Sequence, residues 1–156
     1  MQNKEIYMKK YPEANFFKPK NKHKYKGDIN NIISRSSYET KFMMWCDHNT
    51  SVIEWSSEEN IIPYKSPIDG RYHRYFVDFK VKVKTLDNKT ETYLIEVKPY
   101  NQTIEPNVQK NVTKRYLNEV VTWSINKSKW KAAEDYCKDR GWKFKILTEK
   151  ELNIKR

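Results

Sequence analysis

Two segments that alternate apolar and polar residues, 75–84 and 90–99, constrain the folding of this chain more than any other feature. In the first, Val77, Phe79, Val81 and Val83 interleave with Asp78, Lys80, Lys82 and Lys84; in the second, Tyr93, Ile95 and Val97 interleave with Leu94, Glu96 and Lys98. A period of two predicts strands with one buried face each, because successive strand side chains point to opposite sides. Asp87-Asn88 supplies turn chemistry between them, so the pair reads as an antiparallel hairpin. Folding symmetrically about Asp87 sets Val77 opposite Val97, Phe79 opposite Ile95, Val81 opposite Tyr93 and Val83 opposite Glu91. The same register sets Asp78 opposite Glu96. Opposed side chains on a ladder have Cβ atoms roughly 5 Å apart, and two carboxylates at that distance repel unless positive charge lies between them. A divalent cation is the natural occupant. Lys98 follows on the same face about 7 Å further along the strand, where its ammonium reaches a water or a phosphate oxygen. Pro99 ends the ladder.

The triplet acid-x-Lys carries little by itself in so basic a chain: about three chance occurrences are expected, a false-positive rate that makes the bare motif uninformative. Four are present, at Glu39, Asp78, Asp87 and Glu96. Glu96-Val-Lys98 stands apart because it lies on a strand, faces an acid across the hairpin and has an apolar opposite face to anchor it. The competing reading is a solvated sheet face of mixed charges, common in antiparallel sheets.

The 156 residues suit one domain, and a mean hydropathy of -1.00 with 33% charged residues makes its core lean. Five Trp, six Phe and eleven Tyr offset this, since each aromatic buries a large area, and the five tryptophans are expected in the core. A net charge of +11 points to a polyanionic partner, nucleic acid first and an acidic membrane surface second. Cys46 and Cys137 lack metal or redox spacing, and His23, His48 and His73 form no HExxH pattern. His73, by its odd number, is expected on the apolar face with Val77 and Phe79. With glycine only at 27, 70 and 141 there is no phosphate-cradling loop, which argues against a nucleotide-driven motor or a dinucleotide enzyme. No apolar run approaches the roughly 20 residues that span a bilayer, and residues 1–7 lack a signal-peptide core, so a soluble, intracellular protein is expected.

Residues 1–30 read as a basic N-terminal arm, with Pro12 and Pro19 blocking long helices. It serves either to lie along phosphates or as a solubilising tail. The remainder, 31–156, reads as the folded domain. A helix is predicted over 36–48, with Tyr38, Phe42, Trp45 and Cys46 on one stripe and a capping box between Ser36 and Glu39. Residues 55–64 read as a loop and then a short strand at 61–64, at an edge because Pro63 has no amide to donate. After a polar loop from 99 to 106, one helix is expected from 108 or 113 to 123 and another from 126 or 128 to 140, closed by Gly141. A strand over 142–147 and a second capping box at Thr148 and Glu151, opening a short helix, complete the chain. The order is α/β: a single domain with a mixed central sheet flanked by helices.

This arrangement, an acid on a helix at Glu39 followed by Asp78 and Glu96-Val-Lys98 on a hairpin, resembles the PD-(D/E)XK nuclease superfamily, which includes restriction enzymes, junction resolvases and TnsA-like transposon-end nucleases. Further strings over residues 20–152, among them Lys26-Gly-Asp28, Arg35-Ser-Ser-Tyr-Glu39, Ile62-Pro-Tyr64, Arg74-Tyr-Phe-Val-Asp78, Ile95-Glu-Val-Lys-Pro99 and Lys129-Trp-Lys-Ala-Ala133, resemble the head completion nucleases of T-even-type tailed phages. Val77 stands where the superfamily nominally has proline. The resemblance implies a restriction-endonuclease-like core and an Mg²⁺-dependent DNA endonuclease, with Mn²⁺ as a substitute ion. It implies action at the portal end of the filled capsid before tail attachment, in the host cytoplasm or retained in the virion head. Catalytic residues would be Glu39, Asp78, Glu96 and Lys98. The metal would be held by Asp78, Glu96, the Val97 carbonyl and Glu39, the last serving either the metal or only the helix cap. Arg71, Arg74 and Lys80 are candidate DNA contacts, equally readable as solvated surface. Expected partners are double-stranded or branched DNA and the portal or head-completion proteins, with no membrane. Two other functions fit the same residues: a non-catalytic plug that binds DNA or the portal, and a structure-selective junction or transposon-end nuclease.

Overall fold

The computed structural model describes residues 15–154. After a 3-10 turn at Lys22–Lys24 come helix α1 (Ser37–His48) and strands β1 (Val52–Ser57), β2 (Ile61–Lys65), β3 (Tyr72–Phe76), β4 (Phe79–Lys84) and β5 (Thr90–Val97), then a second 3-10 turn at Tyr100–Gln102. Helix α2 (Lys114–Arg140) and strand β6 (Lys143–Leu147) follow. One sheet has the order β1-β4-β5-β6, antiparallel except for the parallel β5–β6 pair, and β2 and β3 form a separate two-stranded ribbon. The parallel pair requires the crossover that α2 supplies. The expected mixed sheet flanked by helices is therefore present.

The hairpin register is as the sequence implies, with Phe79 opposite Ile95, Val81 opposite Tyr93 and Val83 opposite Glu91. The ladder begins only at Phe79, however. What reads as one strand over 75–84 is two, because the chain changes sheets at Val77-Asp78. Here the Val77 amide donates to the Asn60 carbonyl at 3.1 Å, and the Asp78 carbonyl accepts from the Glu58 amide at 3.0 Å. A strand that switches sheets turns a corner and re-aims its side chains. Tyr75 and Val77 thus pack with Leu94 and Trp130 beneath α2, whereas Phe79 and Val81 pack with Phe42 and Ile95 beneath α1. His73 lies on neither apolar cluster; it is exposed, with Nε2 2.8 Å from Asp69 Oδ2.

Strand β5 does not keep one solvated face. Leu94 and Glu96 are 0% and 5% exposed on one side, Ile95 and Val97 5% and 7% on the other, because a helix covers each face. Strand β1 occupies much of what was expected to be loop. Its pairing with β4 shifts register between Val52 and Glu54, which disrupts the alternation that would have signalled a strand. The expected two helices after residue 108 are one, 27 residues long, capped by Thr113 Oγ1 accepting from the Tyr116 amide and ended by Gly141 at φ 69°. Ser124 and Ser128, which read as a break, instead turn their hydroxyls back to the carbonyls of Val120 and Ser124. The Thr148–Glu151 box forms, with the Thr148 amide donating to Glu151 Oε2 at 2.7 Å, yet residues 149–153 make turns and no helix. Among the tryptophans Trp45 departs from expectation at 45% exposed; Met43 takes its place on the buried stripe of α1.

The basic arm enters the description at residue 15, and the part before it lies outside the described residues. From there it is packed. Phe16 bridges Ile33, Tyr25 bridges Trp55 and is 6% exposed, and Lys24 Nζ donates to the carbonyls of Cys46, Asp47 and Asn49 at 2.9, 3.0 and 2.7 Å. A lysine that reads as solvated surface is thus the cap on the C-terminal end of α1.

Candidate active site

Asp78 stands at the corner where β3 leaves for the ribbon and β4 enters the sheet. Its Oδ2 accepts the Val97 amide at 2.8 Å, which fixes the carboxylate against the end of β5. One residue earlier on β5, the buried Glu96 carboxylate accepts from the Tyr75 hydroxyl at 2.5 Å through Oε2 and lies 3.4 Å from Lys98 Nζ through Oε1. Lys98 itself is held by its amide, which donates to the Leu147 carbonyl of the neighbouring strand. Three of the four expected catalytic residues, Asp78, Glu96 and Lys98, therefore share one corner. They meet through the sheet switch rather than as a simple ladder pair.

Glu39 approaches from the first turn of α1. Ser36 Oγ accepts the Glu39 amide at 3.1 Å, and Glu39 Oε2 accepts the amide of Arg35 at 2.9 Å, one residue before the position a capping box addresses. Burial, with Glu96 adding to it, raises the Glu39 carboxyl above the usual range, while the Arg35 amide, the Arg35 charge and Lys98 oppose the rise. Asp78 is raised further, by burial first and then by the negative charges of Glu96 and Glu39. The cap and the acidic cluster thus involve the same glutamate. The Arg35 guanidinium pairs with Glu58, whose amide holds the Asp78 carbonyl, so the start of α1 is tied to the corner on which Asp78 sits. Glu58 adopts the left-handed conformation at φ 56°, uncommon for a residue with a side chain.

Among the described residues no three His, Cys, Asp or Glu side chains by themselves make a cage for a metal ion. The chemistry of the donors nevertheless suits a hard divalent cation. Burial, and after it the negative charge of neighbouring Glu96, favour protonation of Asp78, a tension that an added cation relieves. Mg²⁺ commonly uses one or two carboxylates and completes its shell with carbonyl oxygens, water and phosphate.

The expected DNA contacts scatter. Lys80 stacks its ammonium 4.4 Å from the Trp142 ring; Arg74 is exposed on the ribbon, its guanidinium 5.9 Å from the Phe76 ring; Arg71 lies beyond the far end of β3. Arg71 and Asp78 are seven residue steps apart along the chain, a contour of about 23 Å when extended. Two residues that the pattern did not single out do reach the site. Tyr75, by its number on an apolar face, presents its hydroxyl to Glu96, and burial first, then the negative charge of Glu96, push that hydroxyl well up. Lys129 of α2 lies 5.6 Å from the Tyr64 ring and 5.5 Å from the Tyr75 ring, within the influence of Asp78, Glu96 and Lys98. In the sequence it is marked by its place in the string Lys129-Trp-Lys-Ala-Ala133 and beside the buried stripe Asn126, Trp130, Ala133 and Cys137, neither of which assigns it a role. Next to it, a cleft of about 770 Å³ opens between α2 and the segment after β5, lined by Asn101, Gln102, Lys114, Asn118, Thr122 and Asn126 among others.

A mixed sheet between two helices, with acids gathered where a strand changes sheets, defines a nuclease core of the restriction-endonuclease-like kind. Residues 49–149 match the TnsA-like endonuclease N-terminal family, and the chain belongs to that family; it is an endonuclease, a hydrolase of phosphodiester bonds. It is 42% identical over 138 residues, 86% of this chain and 89% of the relative, to the head completion nuclease of Enterobacteria phage T4. Asp78, Glu96 and Lys98 fall within the matched family segment, and Glu39 precedes it.

Proposed function

We propose that this chain is a divalent-metal-dependent DNA endonuclease of phage head completion, acting on DNA at the portal end of a filled capsid before tail attachment. The observation that carries the cutting chemistry is the Asp78 carboxylate fastened to the Val97 amide, beside a Glu96 carboxylate that Lys98 approaches to 3.4 Å. The biological setting rests on the similarity to the phage T4 protein, and the net charge of +11 suits a DNA substrate.

In this reading Asp78, Glu96 and the Val97 carbonyl would hold Mg²⁺, with Mn²⁺ as a substitute, and Glu39 would complete the acidic cluster. The bound ion would neutralise charge on the phosphate and acidify a water for attack. The protein's part is orientation. The Val97 amide fixes Asp78, and the Tyr75 hydroxyl fixes Glu96. Lys98, whose side chain is 26% exposed, turns from Glu96 to the attacking water or a non-bridging phosphate oxygen. Duplex or branched DNA is the substrate, and portal or head-completion proteins are the partners that bring the enzyme to the capsid.

The test is cleavage of linear, nicked, flapped and branched DNA in Mg²⁺ or EDTA by the wild type, Asp78→Asn and Lys98→Met. Each substitution is expected to lower cutting by roughly 10²-fold or more while the circular dichroism spectrum is kept. Cutting that survives in either folded variant removes the site. DNA binding without Mg²⁺-stimulated cutting in the wild type points instead to a plug, and strong preference for branched DNA to a junction nuclease.

A further inference from the structure

We propose that Lys129 is a phosphate contact of the cutting site, gripping the DNA backbone from α2 while Lys98 and the acids act from β5. The inference rests on the site reading above and extends it to a second structural element. Lys129 belongs to the covering helix, 31 residues beyond Lys98 in the chain, and arrives by packing.

The first ground is the environment of the ammonium. It is held over two aromatic faces, Tyr64 of β2 and Tyr75 of β3, and Tyr75 is the residue whose hydroxyl binds Glu96. Among the described residues no carboxylate pairs with Lys129 within ion-pair distance. Ring faces attract a cation but accept few of its three N–H bonds, so the ammonium keeps donor capacity within the electrostatic reach of Asp78, Glu96 and Lys98. A partly buried cation whose donors lack anionic acceptors is costly unless something supplies them. A phosphodiester oxygen does so, and the site must hold one for any cut to occur. In keeping with this, burial pushes the Lys129 ammonium pKa down despite the upward pull of Glu96 and Asp78.

The second ground is direction. Asn126, one helical turn back along α2, lines the polar cleft, which continues past Thr122, Asn118 and Lys114 toward the start of the helix. These side chains share α2, so a backbone held at Lys129 has amide, hydroxyl and ammonium partners along the same surface, where the one carboxylate of the lining, Glu119, is paired with Arg115 at 3.2 Å. The ordinary alternative is a lysine that lays its methylenes over Tyr64 and Tyr75 as packing and sends its charge to water.

The two roles differ in what they do to salt dependence and to stability. The experiment uses the full chain with Lys129→Met, Lys129→Gln and Lys129→Arg, and Asp78→Asn alongside. Binding to linear duplex DNA is measured in Ca²⁺ over a range of salt, cutting in Mg²⁺, and melting without DNA. A phosphate contact predicts that Met and Gln lower the slope of log affinity against log salt by about 0.9 and that Arg restores it. It also predicts kcat/KM lower by about 10²-fold in Met and Gln, with no fall in melting temperature. A wild-type salt slope and wild-type cutting in a folded Met or Gln variant overturn the proposal, and so does a lowered melting temperature with the slope unchanged. Should Asp78→Asn also cut like the wild type, the site reading itself fails; if it is dead while Lys129→Met is unaffected, the Lys129 inference alone fails.

Discussion

Asp78 is held by a hydrogen bond that favours its charge and surrounded by burial and two acids that oppose it, and the opposition wins. A carboxyl whose folded pKa is raised binds its proton more tightly when folded, so its contribution to stability is full at low pH and is lost as pH climbs above the ordinary carboxylate range. Asp78→Asn removes that penalty while its amide oxygen still accepts the Val97 amide. In EDTA the variant is therefore expected to melt higher than the wild type at neutral pH, with the gap closing toward pH 4, while cutting is lost. A wild type that melts as high as the variant at neutral pH without metal contradicts this. Glu39 separates into its two tasks by a paired substitution. Gln keeps an oxygen for the Arg35 amide and should preserve stability, whereas Ala is expected to lose about 1 kcal/mol by urea unfolding. If Glu39 also serves the acidic cluster, both variants lose cutting; activity retained in Gln restricts it to the cap.

At the scale of elements, each helix depends on partners distant in sequence. Lys24 caps three carbonyls at the end of α1 from a segment that reads as a solvated tail. Lys24→Met leaves those carbonyls without their charged donor and is expected to cost about 2 kcal/mol, read as a lower urea midpoint at unchanged m-value. A variant as stable as the wild type shows that water replaces the lysine. The element boundaries show what local pattern conveys. The hairpin register was legible because a period of two and an Asp-Asn turn act together; β1 was not, because its register shift interrupts the alternation. The break at Asp78 was invisible for the opposite reason. Alternation continues without interruption through Val77-Asp78-Phe79, and only the choice of partner strand makes the chain change sheets.

For the whole molecule, the family match covers 49–149, yet the fold extends well before it. Phe17 and Tyr25 meet the Trp55 ring at 5.9 and 4.8 Å, and Asp47, 1% exposed, accepts the amides of Lys20 and Asn21 at 2.8 and 2.9 Å. Deletion of residues 1–30, the segment expected to be a separable arm, should therefore abolish cooperative melting followed by circular dichroism. A truncated protein that melts like the wild type restores the arm as a dispensable DNA-binding tail. Among the described residues no helix is long and apolar enough to cross a membrane.

Alternation, turn residues and charge determined by themselves the antiparallel hairpin that sets Phe79 opposite Ile95 and Val81 opposite Tyr93, because strand periodicity and register are properties of neighbours in the chain. Tertiary structure alone decided that Tyr75 reaches Glu96, that Lys129 comes over Tyr75 and that Lys24 is buried, because each depends on which surfaces separate elements present when they pack. Local sequence records which side chains share a face, but not what comes to lie on it.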